Sequence, residues 1–203
     1  MGMLKRFILS IFVSVALIGA TVTGAAAVTW NVDSFGQLQG ASDVDVGGTF
    51  YDVSFQDGSC VALFSGCDAA SDFTFSTYAT ANLARIALSN QVFLDVPDGN
   101  FDSDPSLTNG LSSTGHIITP YTLSVSWPGY VVGTSFLNDI IEASDSISPS
   151  FFFGTSLNAG NYGDRTYAVW TVSSVPLPAA LPLYGAGLAI MGFFAWKRKR
   201  SKA

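Results

Sequence analysis

Seven of the nine lysines and arginines lie at the two ends of the chain, and each basic cluster abuts an uncharged, largely apolar run. Lys5 and Arg6 precede the twelve residues Phe7–Ile18, and Gly24-Ala25-Ala26-Ala27 then supplies the small side chains of a cleavage site. A charged start, a short apolar stretch and an A-x-A pattern at Ala25 and Ala27 read as a signal peptide over residues 1–27, cut by signal peptidase to leave Val28. At the other end Leu177–Trp196 gives twenty residues without a charge, about the length that crosses a bilayer core as a helix. Lys197, Arg198, Lys199, Arg200 and Lys202 hold that end in the cytoplasm. A terminal signal helix and a C-terminal transmembrane helix thus confine the folded part to residues 28–174, on the far side of the membrane.

The tail divides further. Pro178 and Pro182 remove backbone donors and disfavour helix in the residues before them, so the regular helix of the transmembrane stretch 181–196 is expected to begin near Leu183. Gly185, Ala186, Ala189 and Gly192 allow another helix to approach closely. Outside the membrane stands Val175-Pro176-Leu177-Pro178-Ala179-Ala180, held extended by its prolines. A short proline-bearing motif, an apolar span and a basic cluster over 197–203 form, in that order, a tail that resembles the PEP-CTERM sorting signal of Gram-negative bacteria in its VPLPA form. The resemblance covers residues 175–203 only. It implies export, transient anchoring and recognition by an exosortase, a membrane-embedded cysteine peptidase or transpeptidase, and it associates the protein with exopolysaccharide. A plain membrane anchor is the competing reading.

Between the ends, charge is one-sided. Only Arg85 and Arg165 remain there against all fifteen carboxylates, a net charge of −13, with Glu142 the sole glutamate. Nucleic-acid binding needs clustered Lys and Arg, so that class of partner is excluded. Aspartate in place of glutamate fits a turn-rich β protein, because Asp favours caps and turns.

About 147 residues make one domain large enough for a real core. Cys60 and Cys67, with six residues between them, lie in the exported part, where a local disulfide is the simplest expectation. A metal pair is the alternative, with His116 as the one imidazole to join it. Thr49 to Gln56 alternates, with Tyr51, Val53 and Phe55 on one face, and Asp57-Gly58 supplies a turn from which Cys60 to Phe64 is expected to return as a strand. From Asp72 or Ser76 to Phe93 the period becomes helical, with Ala79, Leu83, Ile86, Ala87 and Asn90 recurring at three and four. Asp95 to Gly115 reads as a loop, and His116–Trp127, Gly129–Thr134, Ser150–Phe153 and Arg165–Val172 as strands. The expected class is α+β, mostly β: an antiparallel sheet or sandwich with one packed helix.

Catalytic patterns are sparse. There is no G-x-S-x-G elbow, neither cysteine carries a nucleophile signature, and with no lysine between residues 28 and 174 a general base would have to be His116 or a carboxylate. Asp95, Asp98, Asn100, Asp102 and Asp104 alternate oxygen-bearing side chains as a calcium loop does, although the EF-hand spacing is absent. No other cofactor is implied. Trp127-Pro-Gly-Tyr130 and the stretch Asn158–Tyr167, with Tyr162 and Tyr167, set aromatic beside amide or carboxylate groups as sugar-binding surfaces do. Trp30, Trp127 and Trp170 equally suit a core. The leading expectation is a non-catalytic surface or exopolysaccharide-matrix protein; a carboxylate-dependent hydrolase of matrix polymers and a glycan-binding module are the alternatives.

Overall fold

The alternation of Thr49–Gln56 does make a strand, one of nine in the computed structural model, which describes residues 27–140 and 146–174. The signal residues through Ala25, Glu142, and the whole tail from Val175 with its motif, span and basic cluster fall outside the described residues. Residues Ala27–Val175 form one compact unit.

Two meanders build the sheet. The first is β1 (Thr29–Val32), β2 (Leu38–Val46) and β3 (Thr49–Gln56). A helical turn α1 (Cys60–Leu63) and a ten-residue helix α2 (Tyr78–Ala87) follow, then a two-strand flap of β4 (Asp95–Val96) and β5 (Gly99–Asn100). The second meander is β6 (Gly115–Leu123), β7 (Tyr130–Asn138) and β8 (Ser146–Gly154). The last strand, β9 (Arg165–Val172), inserts between them, giving the order β1-β2-β3-β9-β6-β7-β8. β9 runs antiparallel to β3 and parallel to β6, with Ile117 opposite Thr166 and Ile118 opposite Tyr167. The sheet is therefore single and mixed, and not the antiparallel sheet or sandwich expected from the pattern.

The two central strands are covered on both faces. Ile117, Ala168 and Trp170 point into a core beneath α2, together with Val53, Phe55, Leu88, Phe93 and Phe136. Ile118 and Tyr167 point the other way, into a second core with Cys60, Phe64, Cys67, Phe73, Val131 and Phe153. Parallel pairs favour such two-sided burial, and the consecutive apolar residues of β6 and β9 supply it. Cys60 and Cys67 are bonded, their Cα atoms 5.6 Å apart, and brace this second core.

Several local expectations change. Asp57-Gly58 does turn the chain, but Ser59 then caps a helical turn by accepting from the Ala62 amide, so Cys60–Leu63 is helical and does not return as a strand. Thr77 caps α2 in the same way, and the helix continues as a π turn over Leu88–Val92. Its buried side is Ala81, Ala84, Arg85 and Ala87, while Leu83 and Ile86 face outward. Small side chains let the helix lie close to the sheet, which outweighs the larger hydrophobes' preference for burial. β2 interrupts its own alternation: a bulge between Ala41 and Val44 places Asp43 at a positive φ of 60°, with its amide bonded to Asp52 Oδ1. At the sheet's edges β1 is short and irregular between Asn31 and Val32, and β8 carries Pro149 beside a register shift against Gly133–Ser135.

The bridge closes a loop of about eight residues, for which loop-closure entropy gives about 2 to 3 kcal/mol. Replacing both cysteines by alanine should lower the urea midpoint accordingly with little change in slope. An unchanged midpoint would show that the second core holds without its cross-link.

Candidate functional site

α2 covers only part of its face of the sheet. Thr134 on β7 donates to the Ala81 carbonyl at 3.3 Å, which fixes the helix over the middle of that strand. Val132, two residues back on the same face, pairs with Phe152 of β8. Beyond the N-terminal end of the helix Phe152 is 43% exposed, Trp127 57% and Tyr130 42%. The Trp127–Tyr130 turn presents them: the Trp127 amide donates to Ser124 Oγ at 3.0 Å, the Tyr130 amide to the Trp127 carbonyl at 3.2 Å, and Gly129 takes the positive φ of 82° that closes the turn. Trp127 meets Phe152 edge to face with centroids 5.2 Å apart.

The band extends under the helix start. Tyr121 meets the Tyr78 ring at 6.0 Å. Burial and the neighbouring Tyr78 push the Tyr121 phenol above its ordinary range. Two edge-to-face pairs, Trp127 with Phe152 and Tyr121 with Tyr78, thus make up the aromatic band. Such surfaces offer flat negative π faces to the C–H side of a sugar ring, and hydroxyls to its edge.

Arg85 shares the flank of α2 that carries Tyr78, seven residues away. It is 4% exposed. Its Nη2 donates to Asn82 Oδ1, while Nε and Nη1 have no hydrogen-bond partner among the described residues. Burial lowers its pKa and the nearby Tyr78 hydroxyl opposes that shift. Sequence reading passed over Arg85, although a signal existed: no acidic residue stands three or four positions to either side.

The other arginine is fully engaged. Arg165 holds Asp164 with both forks, Nε to Oδ1 at 2.7 Å and Nη2 to Oδ2 at 2.8 Å, and its guanidinium lies 4.5 Å from the Tyr162 ring and 5.0 Å from Phe153. The pair holds the Asp164 carboxyl below its usual range and the guanidinium above its own. Tyr162 therefore serves a cation of the chain itself, and Tyr167 is wholly buried with its phenol raised by desolvation. Tyr167 offers no stacking face, whereas Tyr162 remains 47% exposed beyond the face that Arg165 occupies. His116 stacks on Phe151 at 4.8 Å and its Nδ1 lies 3.2 Å from Ser135 Oγ. Because Ser135 is fully buried, that serine and histidine cannot present a nucleophile to a substrate.

The carboxylates are occupied with turns. Asp33, Asp45, Asp52, Asp72, Asp95 and Asp104 each accept backbone amides. Asp95 takes the amides of Asp102 and Ser103 and the Ser103 hydroxyl, Asp104 caps Ser106, and Asp98 and Asn100 stand exposed at the flap. Of the five expected calcium ligands Asp95 and Asp104 cap turns, and among the described residues no three His, Cys, Asp or Glu gather as a metal would require. On the opposite flank of α2 a groove of about 350 Å³ is lined by hydroxyls of Thr49, Thr74, Thr77 and Thr80 with Tyr51 and Phe75, and no charged side chain borders it. Trp170 meets Phe75 of that lining edge to face at 5.6 Å, and Trp30 donates to the Val92 carbonyl at 2.8 Å, so both of these tryptophans are structural. Comparison with family models, with curated proteins and with solved structures returned no match.

Burial holds the His116 imidazole below its ordinary pKa of 6.5, with Arg165 adding to the shift and Asp164 opposing it. The unfolded chain then binds a proton that the folded chain resists. Stability is full above the unfolded value and falls as the pH drops through it toward the folded one. Melting temperature should decline from about pH 7.5 to about pH 5.5 in the wild type and much less in His116→Gln. Parallel pH profiles would show that the ring titrates as though exposed.

Proposed function

We propose that this is an exported, non-catalytic protein of the bacterial cell surface or its exopolysaccharide matrix, sorted through its C-terminal tail and holding polysaccharide on the aromatic band. The observation that carries the binding part is the exposed edge-to-face pair of Trp127 and Phe152, with exposed Tyr130 in the same turn as Trp127. A core would have buried such rings. Leaving them in water costs stability that a ligand recovers. The sorting part rests on the order of motif, apolar span and basic cluster in residues 175–203. An exosortase recognises Val175–Ala180 where it leaves the membrane and cuts in or beside it, and signal peptidase cuts after Ala27.

Two measurements test these parts separately. In affinity electrophoresis through the native host's exopolysaccharide, Trp127→Ala with Phe152→Ala should weaken retention at least tenfold, about 1.4 kcal/mol, without lowering the melting temperature. Retention equal to wild type would remove the band from the account. For the tail, intact mass of the mature protein from its native host should begin at Val28 and lack Lys197–Arg200, and replacing Pro176 and Pro178 should leave a full-length, membrane-held form. Mature wild-type protein that keeps its basic end would mean an anchor only.

A further inference from the structure

The groove beside α2 is open to solvent and borders no charged side chain. Its volume of about 350 Å³ falls within the ~300 to 1,000 Å³ usual for small-molecule sites. Tyr51 and Phe75, whose ring centroids lie 5.0 Å apart, give it an aromatic wall. Part of its hydroxyl lining is engaged within the chain: Thr74 donates to the Trp170 carbonyl, and Thr77 and Thr80 share a hydrogen bond at 2.8 Å. The hydroxyls of Thr49, Tyr51 and Ser76 have no hydrogen-bond partner among the described residues. Thr49 and Ser76 are exposed and Tyr51 is half-buried, so a ligand in the groove can reach all three.

We propose that this groove is a second carbohydrate site, and that it takes an uncharged sugar unit of the polymer that also lies on the pair Tyr78 and Tyr121. The proposal rests on the glycan reading above and adds to it a subsite and the charge class of the sugar. Position supports it. Thr77 caps α2 and lines the groove, while Tyr78, the next residue, is 46% exposed and meets Tyr121. Consecutive Cα atoms stand about 3.8 Å apart, so groove and ring pair adjoin at the first turn of the helix and one linear polymer can occupy both. Chemistry selects the class. A sugar ring offers a C–H face to the Tyr51 ring, and hydroxyls that both donate and accept to the hydroxyls of Thr49, Tyr51 and Ser76. An ionised ligand would lose its water without gaining a counter-charge, because no charged side chain borders the groove. The net charge of −13, two arginines against fifteen carboxylates, adds repulsion of an acidic polymer within the screening distance of about 8 to 10 Å. An aliphatic ligand would cover the three hydroxyls and leave them unpaired.

The test uses the mature chain on a panel of neutral oligosaccharides together with fragments of the native host's exopolysaccharide, each neutral member paired with a counterpart whose primary hydroxyls are oxidised to carboxylates. Wild type should bind at least one neutral member, and at least tenfold more tightly than its oxidised counterpart. Thr49→Val with Tyr51→Phe and Ser76→Ala removes the three hydroxyls and keeps the shape of the groove. It should weaken that binding at least tenfold while the melting temperature stays equal, because no hydrogen bond among the described residues is lost. Thr49→Trp, at an exposed strand position, should cause the same loss by filling the groove. If the triple variant melts lower, Thr49→Trp decides alone, and undiminished binding by it would overturn the site. Neutral binding that falls with Trp127→Ala and Phe152→Ala but survives both groove variants would overturn the groove and leave the glycan reading standing. Equal or tighter binding of the oxidised members would overturn the uncharged class, and binding of no member would overturn both readings.

Discussion

The fold depends on how β9 is held. The two meanders share no strand, and each alone would expose one long edge; β9 fills the gap by pairing antiparallel with β3 and parallel with β6. Its consecutive residues serve opposite cores, Tyr167 with the disulfide side and Ala168 with the helix side. A slip of one residue would exchange those faces, placing Tyr167 and its hydroxyl beneath α2 and the alanine where a ring is needed. The same strand carries Arg165, whose pairing with Asp164 pins its first residue, and Trp170, whose Nε1–H reaches Thr119 at 3.3 Å. With register fixed there, the positions of β6, β7 and β8 follow, and with them the alignment of Tyr121, Val132 and Phe152 that creates the exposed band. The motif at Val175 begins three residues after β9 ends at Val172, so the proposed cleavage in the tail would leave this strand intact.

Local regularity made part of this legible in sequence. The faces of β3, the span of β9, the existence of α2 and the pairing of Cys60 with Cys67 rest on strict alternation, helical spacing or a single available partner. What escaped has a physical cause in each case. β2 hides because its bulge at Asp43 shifts the alternation by one, so Leu38, Ala41, Val44 and Val46 share a core without sharing a period. The buried side of α2 is not legible from hydrophobicity, which favours Leu83 and Ile86, because closeness to the sheet selects Ala81, Ala84 and Ala87. Parallel pairing of β6 with β9 is a long-range choice between two apolar strands, and neither strand records its direction. At the candidate site Trp127 and Tyr130 stood out by composition, but Phe152, Tyr121 and Tyr78 come from three other elements and meet only in the fold. That Tyr162 stacks on Arg165 while Tyr167 is buried in the second core was equally invisible, since both depend on how β9 is packed.

Electrostatics separate two kinds of work in one small domain. Six aspartates, Asp33, Asp45, Asp52, Asp72, Asp95 and Asp104, order turns and loops by accepting amides. Arg165 lies among aromatic rings, and Arg85 is buried on α2. Arg165 completes an ion pair with Asp164, and among the described residues Arg85 has none.

The ends of the sheet bear on how such a protein behaves when crowded. A seven-stranded sheet with two open rims could recruit identical copies, rim to rim, into endless ribbons. Here β1 offers only Thr29–Val32 before it loses register, and on β8 Pro149 lacks an amide hydrogen next to a shift in pairing. Molecules concentrated at a surface would meet through side chains and their shared negative charge, and would remain individual particles without growing into fibrils.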